Sequence, residues 1–217
     1  MLIRRRLVVA ALCCLPLPGL AVATPVPEAA RAAKILVIGD SLSAEYGLER
    51  NSGWVALLDQ RLQDKNAGYQ IHNSSISGDT TSGGLSRLPA ALDRYRPDLV
   101  IIELGSNDAL RGLPLDMTRK NLSTMASLSL GSGARVLLIG MQIPPNYGRS
   151  YAEQFKQMFN DIAREHDVGL VPFLFEGIAT DHAMFQPDGM HPNERAQPLL
   201  AETVWRELKP MLQPPAR

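Results

Sequence analysis

Thiols are nearly absent from this chain. Its 217 residues include two cysteines, Cys13 and Cys14, adjacent and close to the amino terminus. Beyond them a disulfide framework, a cysteine nucleophile and a cysteine-ligated metal are all excluded. An oxidising compartment leaves such a sequence unharmed. An excess of charge of either sign is missing too. Twenty-two Lys and Arg face 22 Asp and Glu, with no basic stripe and no acidic tail. That removes the electrostatic footprint of a nucleic-acid binder. There is no internal repeat, no low-complexity tract and no linker-like stretch, so the length reads as one domain. What is present is ordinary for a globular protein. At 45% hydrophobic and 20% charged, the chain can bury a sizeable core.

The first residues are a different object. Met1-Leu2-Ile3-Arg4-Arg5-Arg6 is a positive leader, Leu7 to Leu20 is mostly apolar, and Ala21-Val22-Ala23 is an A-x-A cleavage site. This is the layout of a secretory signal peptide. The competing reading is a membrane anchor, but a span needs about 20 apolar residues, and this stretch is short and broken by Pro16 and Pro18. A lipoprotein is disfavoured because Leu12 and Cys13, rather than Gly or Ala, precede the two cysteines. Loss of residues 1–23 removes both cysteines and three arginines, leaving 19 basic against 22 acidic residues, a net of −3. The expectation is a signal peptide over 1–23, a short leader over 24–33 and a single domain over 34–212. The mature protein is then periplasmic or secreted, without a membrane span, and a monomer.

The mature chain opens on Ile35-Leu36-Val37-Ile38, an apolar run that stops at Gly39-Asp40-Ser41. Such a run reads as a strand buried on both faces of a parallel sheet. Similar signals occur at Asp98–Leu104, Arg135–Gly140 and Val168–Phe173, with a short alternating strand at Tyr69–Asn73. Pro172 suggests that the fifth strand is an edge. Helical spacing of apolar residues intervenes from Trp54 to Leu62, from Leu85 to Tyr95, from Leu115 to Leu130, from Tyr151 to His166, and within Pro192 to Leu212. Residues 74–84 read as a long small-residue loop. Pro89 is expected in the first turns of its helix or at a kink. Five alternations of strand and helix specify an α/β fold with helices on both faces of a parallel sheet.

In such a sheet the carboxyl ends of the strands share one edge, where ligands bind. Four polar segments reach it: Asp40-Ser41, Ser77-Gly78-Asp79, Ser106-Asn107-Asp108 and Asp188-Gly189-Met190-His191-Pro192. Ser41 alone could be a turn residue. As a nucleophile it needs a base, and the base needs an acid to fix its tautomer. Asp188 and His191, three apart on one turn, can supply both, with Pro192 suited to the first position of a helix. His182 beside Asp181 is the rival, but adjacent side chains seldom point the same way, whereas a three-residue spacing can bring both groups together. His72 and His166 fall on a strand and a helix end. The Ser41 N–H, the Gly78 N–H and the Asn107 amide are three donors for a developing oxyanion.

These blocks resemble the SGNH (GDSL) hydrolase family: Gly39-Asp40-Ser41-Leu42, Gly78 within Ser-Ile-Ser-Gly-Asp-Thr-Thr, Asn107 within Gly-Ser-Asn-Asp, and Asp188-Gly-Met-His191. Glu103 to Gly112, the Pro-Asn-Tyr-Gly-Arg stretch and His191-Pro-Asn-Glu-Arg-Ala-Gln-Pro resemble its bacterial periplasmic branch of arylesterases and multifunctional thioesterase–lysophospholipases. The resemblance spans about Ala33 to Pro210. It implies a three-layer sandwich with a flavodoxin-like sheet of five parallel strands. It implies Ser41 as nucleophile with Asp188 and His191, and Ser41, Gly78 and Asn107 as the oxyanion hole. It implies an ester or thioester substrate, such as an aryl or short-chain ester or a lysophospholipid, and neither metal nor organic cofactor. Two positions depart from the branch, which usually reads Gly-Gly-Asn-Asp-Gly where this chain has Gly105-Ser106-Asn107-Asp108-Ala109. A positive φ at either position would strain Ser106 or Ala109, stiffen or shift the loop and alter acyl-chain preference. Two other readings stand beside this one: deacetylation of a carbohydrate on the same fold, and a non-catalytic small-molecule binder. A binder has no need of nucleophile, base, acid and both auxiliary donors together.

Overall fold

A strand made of Ile35, Leu36, Val37 and Ile38 has no polar face to give to water and needs cover on both sides. All four residues are fully buried. The structure is a computed structural model that describes residues 32–65 and 67–212, so the expected signal peptide and most of the leader lie outside the described residues. The strands are β1 (Ala33–Gly39), β2 (Tyr69–Asn73), β3 (Leu99–Glu103), β4 (Arg135–Ile139) and β5 (Gly169–Val171). They form one parallel sheet in the order β2-β1-β3-β4-β5. Ile35 lies beside Leu99 and Gly39 beside Glu103, so β1 and β3 end together.

The helices are α1 (Trp54–Asp64), α2 (Thr81–Tyr95), α3 (Ser106–Leu110), α4 (Leu115–Gly131), α5 (Arg149–His166) and α6 (Gln197–Leu208). α1 packs on α6, while α2, α4 and α5 pack side by side in a row. Right-handed crossovers distribute such helices over both faces. The result is the three-layer α/β sandwich that the alternation predicts. The strand order reverses direction between β1 and β3, and there the crevice outside the strand ends opens.

Five local expectations differ from what forms. α2 begins at Thr81, not near Leu85, and its cap is the Thr80 side chain, which accepts the Gly83 N–H at 3.3 Å. The glycines of the expected loop are there for close approach. A Cβ on Gly84 would lie 2.3 Å from Leu104 Cδ1, and one on Gly83 would lie 1.9 Å from Asp79 Oδ1. Pro89 therefore falls in the helix interior rather than in its first turns, on an exposed position. The third polar block is itself a short helix, α3. Pro192 does not open the last helix: it bridges Phe185, and α6 starts at Gln197 with Pro198 in its first turn. β5 spans three residues at the sheet edge, and Pro172 comes just after it.

Candidate active site

Ser41 opens the turn that follows β1, two residues past Gly39. Asp40, before it, is 1% exposed, and one of its oxygens accepts the Leu42 N–H at 3.0 Å, which fixes the backbone around Ser41. Trp54 Nε1–H donates to the Leu42 carbonyl at 3.0 Å, so the turn is pinned from α1 as well.

The Ser41 hydroxyl meets His191: Oγ lies 2.9 Å from Nε2. On the other side of the ring, Nδ1 lies 2.7 Å from Asp188 Oδ2. Asp188 Oδ1 accepts the backbone N–H of both Met190 (2.9 Å) and His191 (3.0 Å), a turn made possible by Gly189 at φ +68°. These N–H groups, His191 first, hold the Asp188 carboxyl down at about 2, against some opposing burial. The turn is stapled at its base. Gln186 N–H donates to His191 O at 2.7 Å and its side-chain amide to Tyr46 O at 2.8 Å, while Asn193 N–H donates to Met184 O at 2.9 Å. The Tyr46 ring lies 4.5 Å from that of His191 and limits where the imidazole can go.

The other histidines are elsewhere. His182 lies on the exposed 3₁₀ turn His182–Met184, where Asp181 caps the Ala183 N–H instead of facing an imidazole. His166 meets Ser123 at 2.6 Å between α5 and α4, and His72 stacks on Tyr95.

Of the three expected oxyanion donors, two are backbone groups. Neither the Ser41 nor the Gly78 N–H donates to an acceptor among the described residues. Gly78 takes φ +78°, which favours glycine. Its loop is held from below and above. Arg111 donates to Gly78 O at 2.9 Å, and Arg87 pairs with Asp79 at 2.8 Å while bonding Ser74 O. The third donor is engaged already: the Asn107 amide gives one N–H to Asp40 Oδ2 and one to Asp79 O, both at 3.0 Å. The expected strain beside it is absent. Gly105 carries the positive φ, +116°, whereas Ser106 and Ala109 are ordinary helical residues of α3. Ala109 is fully buried, and the Ser106 hydroxyl is buried without a partner among the described residues.

Sequence reading missed Glu103, Ser43, Arg87 and Tyr46. Only Glu103 carried a signal: it is a charged residue at the end of an otherwise apolar, fully buried strand. Among the described residues no three His, Cys, Asp or Glu side chains gather as a cation site.

Ser41, His191 and Asn107 line one cavity of about 580 Å³. Its remaining wall is largely apolar, with Leu110, Met141, Ile143, Phe173, Phe175 and Phe185.

Comparison with known proteins agrees with this architecture. Residues 37–198 match the model of the GDSL-like lipase/acylhydrolase family. The chain is 49% identical over 185 residues to Esterase TesA of Pseudomonas aeruginosa, covering 85% of this chain and 92% of that one. It is 40% identical over 185 residues to thioesterase 1/protease 1/lysophospholipase L1 of Escherichia coli K12, covering 85% and 88%. The crystal structure of TesA superposes with a TM-score of 0.81 at 50% identity, over 82% of this chain and 99% of that one. With a family match over most of its length and relatives this close, the chain belongs to the GDSL-like lipase/acylhydrolase family.

Proposed function

We propose that this protein hydrolyses carboxylic esters or thioesters of apolar acyl groups through an acyl-enzyme on Ser41. The observation that carries the reading is the Asp188–His191–Ser41 chain, at 2.7 and 2.9 Å, opening onto an apolar cavity. In the first step His191 Nε2 takes the Ser41 proton as Oγ attacks the carbonyl carbon. Asp188 accepts the Nδ1–H and stabilises the imidazolium. The carbonyl oxygen becomes an oxyanion facing the Ser41 and Gly78 N–H groups, and it shares or displaces one of the two bonds of the Asn107 amide. Collapse expels the alcohol or thiol, which takes the proton back from His191. Water, deprotonated by His191, then attacks the acyl-enzyme, and collapse frees the acid and returns the proton to Ser41.

The apolar wall favours an acyl chain over the acetyl group of a sugar ester. The relatives named as esterase, thioesterase and lysophospholipase support the same range of substrates. The layout of residues 1–23 supports export, with a mature chain from Thr24 acting in the periplasm or outside the cell, and no described helix is long and apolar enough to cross a membrane. Export turns the choice toward esters and lysophospholipids and away from acyl-CoA.

The test is turnover of p-nitrophenyl butyrate by the mature protein and by Ser41→Ala, with labelling by an alkyl fluorophosphonate read by mass spectrometry. Wild type is expected to turn over and to carry one phosphonyl group on Ser41, with kcat of the variant down by about 10⁴-fold or more. Equal activity of the two proteins refutes the mechanism.

A further inference from the structure

One buried acid has no part in that mechanism. Glu103 closes β3 and is 2% exposed. It lies beside Gly39 in the sheet. A Cβ on Gly39 would fall 2.7 Å from Ser43 Oγ and 2.9 Å from Glu103 Oε2, so a glycine is needed for the two strand ends to close over this carboxyl. Glu103 Oε2 accepts the Ser43 hydroxyl at 2.7 Å and the Asp40 N–H at 3.3 Å. The Asp40 N–H thus ties the Glu103 carboxyl to the residue whose own buried carboxyl meets Asn107. Asp40 in turn accepts the Leu42 N–H and the Asn107 amide, each at 3.0 Å. A continuous chain of bonds thus runs from Ser43 through Glu103 and Asp40 to Asn107.

Two buried carboxyl groups joined in one network resist ionising together without a cation. Among the described residues neither forms an ion pair with Lys or Arg. The charged and titratable groups around them are otherwise committed. Arg87, from α2, reaches the Gly39 carbonyl at 3.3 Å but pairs with Asp79. Asp108, on α3, accepts from Thr81 and Thr118. His191 acts on Asp40 through space from the last loop. The pair therefore holds one proton and one charge. Burial, then the charge on Asp40, pushes Glu103 well above the usual carboxyl range, while burial raises Asp40 to about 6. Oε2 of Glu103 already accepts two bonds, which leaves its other oxygen to carry the proton.

We infer that Glu103 is a positioning residue for the reaction: as a neutral acid it donates to Asp40, and Asp40, held as the carboxylate, fixes the Asn107 amide and the Ser41 turn. The inference rests on the reading of Ser41 as nucleophile and Asn107 as oxyanion donor. Its physical content is the direction of the amide. A carboxylate only accepts, so it selects the N–H side of Asn107. A neutral Asp40 could donate to Asn107 Oδ1 and turn the amide over, pointing a carbonyl oxygen at the developing oxyanion. Sharing the proton also limits the charge behind the oxyanion to one.

The test compares Glu103→Leu and Glu103→Gln in the mature protein, with p-nitrophenyl butyrate as substrate and phenylboronic acid as a tetrahedral mimic. Leucine removes both the donor to Asp40 and the acceptor for Ser43. Its kcat is expected to fall about 10–100-fold, with KM within about threefold of wild type and boronate affinity weakened in step with kcat. Glutamine restores an N–H toward Asp40 and a carbonyl toward Ser43. It is expected to rescue kcat to within about threefold. A folded Glu103→Leu with wild-type kcat, or a Glu103→Gln as slow as Glu103→Leu, overturns the inference. If Glu103→Leu fails to fold, Asp40→Asn decides, since its amide can donate to Asn107: a lowered kcat at unchanged KM supports the clamp and an unchanged kcat removes it. Ser41→Ala is run alongside. An active Ser41→Ala means that the underlying reading of the site has failed, whereas an inactive one with unaffected Glu103 variants means that this inference alone has.

Discussion

At the scale of single residues, the site divides into groups fixed by neighbours in sequence and groups fixed by the fold. Asp188 belongs to the first kind. Its carboxylate is set by N–H groups two and three residues on, and the spacing to His191 was therefore readable without a structure. Asp188→Asn keeps the volume but no longer stabilises the imidazolium, and it admits the wrong tautomer. Its kcat is expected to drop by about 10³–10⁴-fold with the fold intact, measured by steady-state kinetics and circular dichroism. Asp40 is of the second kind. Burial raises its folded-state value to about 6, above the 3.8 of an exposed carboxyl. Between those values the folded protein keeps a proton that the unfolded chain gives up, so this group's contribution to stability falls as pH rises from 3.8 to about 6. Asp188 has the opposite sign: its folded-state value of about 2 stabilises above 3.8 and loses that effect as pH falls toward 2. Asp40→Asn removes the ionisation. The melting temperature of the variant relative to wild type should therefore rise by several degrees between pH 4 and pH 7.5; a flat difference would contradict the burial argument. Glu103 showed only as a charge in a buried strand, and what it and the Asn107 amide bind was not legible, because their partners lie 28 to 67 residues away.

At the scale of elements, periodicity located strands and long helices well, since burial on one or both faces imprints itself on the residues concerned. It failed where tertiary contact decides residue type. Residues 81–84 read as loop because they continue a long run of small residues. They are helical because α2 has to approach β1 and the Leu104 side chain. α3 was missed because five residues are too few to show a helical period. The glycine argument has a measurable consequence. Gly84→Ala improves intrinsic helix propensity by about 1 kcal/mol, yet its methyl meets Leu104 Cδ1 at 2.3 Å, with Met125 and Ile38 behind it. Overpacking of this kind costs about 1–3 kcal/mol. Denaturant unfolding should show a net loss of stability. A net gain would mean that the helix can move off the sheet, and that residues 81–84 are shaped by something other than this contact.

At the scale of the whole molecule, the site is a product of sheet topology. Ser41 follows β1, Gly78 follows β2, Asn107 follows β3, and the apolar wall comes from Leu110 on α3 and from the segments after β4 and β5. The segments after successive strands are separated in sequence by whole helices. The sequence could assign them to one edge of a parallel sheet, but not predict the cavity between them, because its apolar wall, from Leu110 to Phe185, looks like ordinary core in the linear chain. That wall is what now sets a direction for substrate preference. Each methylene that passes from water into it is worth at most about 0.8 kcal/mol. If the acyl chain is held there in the transition state, kcat/KM should climb by about 2–4-fold per methylene from p-nitrophenyl acetate through butyrate to octanoate, then level off once the cavity is full. Phe173→Asp, on the wall but outside the Asp188–His191–Ser41 chain, should flatten that climb while acetate turnover changes little. A wild-type profile that peaks at acetate would place the acyl chain outside the cavity and favour the alternative sugar-ester reading.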